Sequence, residues 1–188
     1  MRISRKLAAL GAFFVIAAAV AGCGSSIPGN SVASIAGNPI TTQAYDHWMY
    51  IAAKEEASEE PGAPVIVPDD PPNFNGCIKQ IHEFIPSYKS TPDSTLRSDC
   101  KQVFSEFNGQ VMTFLIEGYW YQAQAYKQGI KYTSAQLNKD FVKARKQEFP
   151  TIAEYDAYLK SSGLTQQDLL FQIRVNHLFD ALVTRATK

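Results

Sequence analysis

An excess of charge of either sign is missing from this chain: 18 Lys and Arg face 18 Asp and Glu, and no cationic run exceeds two residues. A protein that holds nucleic acid must neutralise many phosphates, so nucleic acid is not an expected partner. Cysteine and histidine are sparse, three of each. There is no Cys-x-x-Cys, and His47, His82 and His177 have no ligand spacing with the cysteines, which leaves zinc and dithiol redox chemistry without residues to use. No Ser or Cys sits in a nucleophile elbow, and the glycine and ligand spacing of a calcium loop are absent. Neither a metal nor a cofactor is expected. What the chain does have is apolar residues, 45% of 188, with 12% aromatic, which suits one globular domain and excludes a disordered tail.

Residues 1–22 read as an export signal. Arg2, Arg5 and Lys6 form a cationic start, and Leu7 to Gly22 carries no charged side chain. Those 16 residues fall short of the roughly 20 that a spanning helix needs. Val20-Ala21-Gly22-Cys23 resembles the bacterial lipobox, with Val20 where Leu is usual, so Cys23 is the expected lipidation site and mature N-terminus. The alternative is ordinary cleavage nearby and a secreted protein. Acyl chains on Cys23, at about 0.8 kcal/mol per buried CH₂, would anchor the protein on the extracytoplasmic face of a bacterial membrane. Residues 23–31, rich in Gly, Ser and Pro, would be a flexible tether to a domain over 32–188. Removing residues 1–22 takes away three of the 18 cations and leaves 15 against 18 carboxylates, a mildly acidic mature chain.

Export places Cys77 and Cys100 in an oxidising compartment, where a pair is expected to be bridged rather than free. Closing that loop is worth about 3 kcal/mol in the chain-entropy model.

The periodicity predicts a mainly α domain. Val32–Ala36 reads as a short strand, and Gly37-Asn38-Pro39 as turn chemistry ahead of Ile40. Thr41 offers an N-cap to a helix from Thr42 to about Ala57, with Tyr45, Trp48, Met49 and Ala52 at helical spacing. Residues 55–97 read as an insertion that is largely loop, with Glu55, Glu56, Glu59 and Glu60 as a solvated run among prolines and two helical turns at Cys77–Phe84. The longest helix is expected from about Ser98 to Gln128, spanning roughly 45 Å, with Phe104, Phe107, Val111, Phe114, Gly118, Tyr121 and Ala125 in its seam. Gly118 would let another backbone approach closely, and Gly129 is a natural stop.

Three further helices are punctuated by Thr133, by Thr151 with Glu154 and Gly163, and by Thr165 with Asp168. The last carries Phe171, Val175, Leu178 and Leu182, flanked by Leu169, Ile173, Phe179 and Val183, so it should be buried between neighbours or wait for one. Asp46 and His47 point about 100° apart on a helix and make no dyad. His177, with Arg174 and Asp180 at steps of three, reads as a polar flank.

The opening Val32-Ala33-Ser34-Ile35-Ala36-Gly37-Asn38-Pro39-Ile40-Thr41 followed by Tyr45-Asp46-His47-Trp48 resembles the start of the N-terminal domain of the SurA/PrsA/trigger-factor chaperone family. Gly129-Ile130-Lys131-Tyr132-Thr133, then Phe149-Pro150-Thr151 with Glu154-Tyr155, then Ser162-Gly163-Leu164-Thr165 with Asp168-Leu169 and Ile173-Arg174, is similar to that domain's last three helices. The cysteine-bearing stretch at 55–100 departs from the family pattern.

The resemblance implies a membrane-tethered folding factor that binds unfolded segments of exported proteins. Such a domain needs exposed apolar or aromatic surface, for which Trp48, Tyr119, Trp120 and Tyr126 are the candidates; Trp120 leads because it lies off the helix seam. Family members commonly carry a parvulin-type prolyl isomerase after this domain, and the sequence to Lys188 has no room for one, so no catalytic residue is expected and a peptidylprolyl isomerase label would be inherited by similarity. Two other readings stand beside this one: a non-catalytic structural lipoprotein that docks one envelope partner, and a truncated isomerase.

Overall fold

The computed structural model describes residues 27–188; the expected export signal and Cys23 lie outside those residues. β1 (Ser31–Ile35) and β2 (Asn38–Thr41) form an antiparallel hairpin, with Ser34 opposite Pro39 and Ile35 opposite Asn38. Its two-residue turn is Ala36-Gly37, both at positive φ, 51° and 83°. That backbone matches the right-handed twist of the flanking strands. The turn therefore lies earlier than the sequence suggests: Asn38 and Pro39 already belong to β2, a strand in which Pro39 is tolerated because a two-stranded sheet has only edges.

Six helices follow: α1 (Thr42–Ser58), α2 (Asn75–Phe84), α3 (Asp93–Lys127), α4 (Ser134–Glu148), α5 (Ile152–Ser162) and α6 (Gln166–Ala186). Their ends follow local chemistry. Thr41 accepts the Ala44 N–H, and Thr133/Gln136, Thr151/Glu154 and Thr165/Asp168 each close a reciprocal capping box. Gly129 and Gly163, at φ of 69° and 76°, end α3 and α5 in the left-handed conformation that favours glycine. α3 is 35 residues long and starts at Asp93 rather than near Ser98, because Pro92 occupies its N-cap and Asp93 puts a carboxylate at the positive end of the dipole.

The main core lies between the hairpin, α1 and α3, where Ile40, Met49, Ala53, Phe107, Val111 and Leu115 are buried together. A second core, Phe74, Cys77, Ile78, Leu96 and Cys100, surrounds the Cys77–Cys100 disulfide, whose Cα atoms are 6.2 Å apart. Phe104 packs against both cores.

Residues 59–74 carry no helix or strand and α2 is the helix inside the insertion, as the sequence suggests, but the segment packs as a lobe around its own core. After α1, Val65 and Val67 turn to the first core while Ile66 turns to the second, a strand-like alternation. Gln80 takes the place of a partner strand: its side-chain amide accepts the Val67 N–H at 3.0 Å and donates to the Val67 carbonyl at 3.2 Å. Asp70 caps α2 from a distance, accepting the Gly76 N–H at 2.7 Å, while Phe74 at the N-cap holds φ of 53° with its ring buried. A non-glycine residue pays for that conformation only where packing compels it.

α6 packs between α3 and α4, which explains its two apolar sides. Phe114 and Tyr119 meet Phe171, Tyr121 meets Phe179, and Arg185 donates to the Gln128 carbonyl, so α3 and α6 run side by side in the same direction. Gly118 admits the side chains of Phe171 and Val175, rather than a backbone.

Candidate functional site

The four aromatic residues singled out in the sequence do not share one surface. Trp48 is half-buried on α1, its ring centroid 4.6 Å from that of Phe114. It walls an open groove of about 590 Å³ between α1, α3, α5 and the start of α6, together with Ile51, Ala52, Val111, Tyr158 and Leu164. Lys54, also on this groove, donates to the Lys160 carbonyl at 2.9 Å and so satisfies the C-terminal end of α5.

Tyr119 and Tyr126 are brought together. Seven residues apart on α3, they lie on one helix face and line a second open depression of about 680 Å³ with Ala36, Asn38 and Phe171. Tyr126 is 85% exposed. Trp120 is 49% exposed and lines neither space; its ring rests edge-on against Tyr121 at 5.6 Å.

A third groove, larger than these two, leaves little trace in the sequence. About 1010 Å³ lies open between the end of α1, the returning segment 59–68, α2 and α3, with Ile66, Ile81, Ile85, Tyr88, Val103 and Phe107 on its walls. Glu56, Glu59, Glu60 and Asp99 also line it. The Glu run beside prolines looks like an ordinary solvated stretch, and the short apolar run Val65-Ile66-Val67 is the sequence signal that the neighbouring chain is packed.

The polar pairs are structural. His47 does not pair with Asp46; its Nε2 lies 2.9 Å from Asp168 Oδ2. That same oxygen accepts the Thr165 N–H and hydroxyl, each at 2.7 Å. The carboxylate stands between imidazole and hydroxyl, so the imidazole does not reach the Thr165 hydroxyl and the trio lacks the order of a nucleophilic triad. His177 stacks flat on Tyr132, with ring centroids 3.8 Å apart and planes at 9°, in place of a pairing with Arg174 or Asp180.

Tyr132 in turn donates to Asp140 at 2.7 Å, and burial, this hydrogen bond and the Asp140 charge push its phenol up to about 12, against a smaller lowering by Arg174. Burial, then the Asp69 carboxylate, raises Asp46; burial, then Asp46, raises Tyr45, which donates to Asn108 at 2.8 Å. Among the described residues no group of three metal-binding side chains occurs, and no helix is long and apolar enough to cross a membrane.

No protein-family model, curated protein or solved structure matches this chain.

Proposed function

We propose that the protein is a membrane-tethered, chaperone-like lipoprotein of the SurA/PrsA/trigger-factor type that binds unfolded segments of exported proteins on the extracytoplasmic side of a bacterial membrane. Cys23 carries the lipid in this reading. The observation that supports it most is the depression shared by Tyr119, Tyr126 and Phe171, where aromatic surface stays open to solvent at the end of the longest helix. Aromatic rings in an open concavity, bordered by Gln122 and Gln124, accept apolar side chains of many sequences without demanding one shape. The lipobox-like Cys23 and the order of capped helices support the same reading.

The test uses the oxidised mature chain with Cys23→Ser, titrated into two unrelated, chemically unfolded proteins while light scattering follows aggregation. Suppression near equimolar ratio for both, weakened by Tyr126→Ala, is the expected result. A well-folded sample that suppresses neither overturns the proposal. A prolyl-isomerase assay on the same sample is expected to show no rate above the uncatalysed one.

A second reading, docking of one folded envelope partner, draws on Phe179 and Val183, which are 43% and 44% exposed one helical turn apart on α6. It requires the opposite selectivity, with no response to unfolded chains and saturation by a single partner.

A further inference from the structure

We propose that the groove beneath the disulfide-held lobe is a binding site for a cationic, apolar peptide segment, in which Lys or Arg alternates with large apolar side chains. The proposal rests on the peptide-binding reading above, and names both the place and the chemistry of one class of client.

The groove combines two features that rarely coincide on a solvated surface. Its walls carry apolar side chains, Phe107 buried, Ile66, Ile81 and Ile85 half-buried, and Tyr88 and Val103 left 44% and 38% exposed. At about 1010 Å³ it has room for several side chains. Every charged residue lining it is acidic: Glu56, Glu59, Glu60 and Asp99, all exposed, with no Lys, Arg or His among the lining residues. Carboxylates beside a low-dielectric wall focus a negative potential into the concavity.

An occupant must satisfy both features. Lys and Arg lay their aliphatic stems on apolar surface and carry the charge outward, which places their heads at such a rim while neighbouring Leu or Phe side chains fill the floor. A neutral apolar segment leaves the carboxylates unanswered, and an acidic one is repelled. A second copy of this chain is a poor match, since the mature protein is itself mildly acidic.

The frame is fixed before any ligand arrives. The Cys77–Cys100 bond joins α2 to α3, Pro68 is fully buried, and the Gln80 amide holds residue Val67 in both directions. Binding to walls already ordered costs less entropy than binding to a loop that must fold around its ligand.

The experiment measures fluorescence anisotropy of a labelled probe of about ten residues alternating Lys with Leu and Phe, against matched probes with Gln or Glu in place of Lys, using the oxidised mature chain with Cys23→Ser. The Lys probe is expected to bind at least about tenfold more tightly than the Gln probe, the Glu probe not at all, and the preference to shrink between about 50 and about 300 mM salt. Combining Glu56→Gln, Glu59→Gln, Glu60→Gln and Asp99→Asn should cost about tenfold or more in Lys-probe affinity, while the thermal transition of these exposed-site changes stays close to that of the parent.

Equal binding of the three probes, or a four-site variant that binds as the parent does, overturns the proposal. Loss of Lys-probe binding in Trp120→Ala or Tyr126→Ala but not in the four-site variant also overturns it, by assigning the probe elsewhere. If sedimentation shows a dimer that the four-site variant dissociates, the occupant is a second copy and the proposal falls. Absence of probe binding alongside suppressed aggregation of unfolded proteins removes the groove but leaves the chaperone reading; failure of both removes both.

Discussion

His47 Nε2 lies 2.9 Å from Asp168 Oδ2, a contact that ties α1 to the first turn of α6 across 121 residues of sequence. Because this oxygen also accepts both Thr165 donors, one carboxylate serves a helix cap and a tertiary tie. Asp168→Ala should cost about 1–3 kcal/mol, the lost cap plus partners left without an acceptor. Asp168→Asn, which keeps an acceptor oxygen, should cost less. Urea unfolding at neutral pH measures both, and a loss below about 0.5 kcal/mol for Asp168→Ala would mean that packing alone holds the start of α6.

A methyl group at Gly118 would stand 2.7 Å from Phe171 Cζ and 3.1 Å from Val175 Cγ2. The Phe171 ring has little freedom to retreat, since it packs against Phe114 and Tyr119 at 5.6 and 6.1 Å. Alanine gains about 1 kcal/mol in helix propensity, against an overpacking cost of about 1–3 kcal/mol. Gly118→Ala should therefore be destabilising on balance, and Phe171→Leu in the same chain should recover part of the loss. Thermal melts of the two single variants and the double variant decide it; stabilisation by Gly118→Ala would place α6 further from α3 than described.

The disulfide closes a loop with a sequence separation of 23 inside a core of its own. Replacing Cys77 and Cys100 by alanine should cost about 3 kcal/mol from loop closure. The effect should be felt first in the lobe, with cleavage in residues 59–92 preceding any loss of the hairpin–α1–α3 core. Limited proteolysis with mass spectrometry, with and without reductant, reads the order of events.

Tyr132 carries an alkaline signature. Its phenol is raised from 10.0 to about 12, chiefly by burial and then by Asp140. Between those values the folded chain keeps a proton that the unfolded chain releases, so the contribution is full below pH 10, declines through the window and is gone above about pH 12. Parent stability should fall more steeply than that of Tyr132→Phe between about pH 10 and about pH 12, read as urea midpoints. Parallel slopes would mean that the ring is freely hydrated.

Apart from the start of α3, the helix ends were legible because their causes are local. Thr151 and Glu154 lie three positions apart as cap and partner, and Gly129 and Gly163 supply their own backbone freedom. The insertion was not legible in the same way. Its ordering depends on Gln80 reaching Val67 and Asp70 reaching Gly76, contacts that leave no periodic trace, and on Phe74 accepting an unfavourable φ because its ring is buried. Proline and glutamate content there reports what the segment resists becoming, not what it packs against.

Read alone, the chain predicted a mainly helical domain and most of its cap residues, since periodicity and capping are settled within short range, and made a Cys77–Cys100 bridge the expectation once Cys23 is assigned to lipid. Tertiary packing decided the rest: that Tyr119 and Tyr126 share a depression while Trp48 and Trp120 lie apart, that His47 meets Asp168, and that the Glu run and the distant Asp99 line one groove with apolar side chains. The physical reason is that a helix face is written in spacing of three and four residues, whereas the choice of which faces meet depends on how distant segments fill volume together, and no local pattern encodes that.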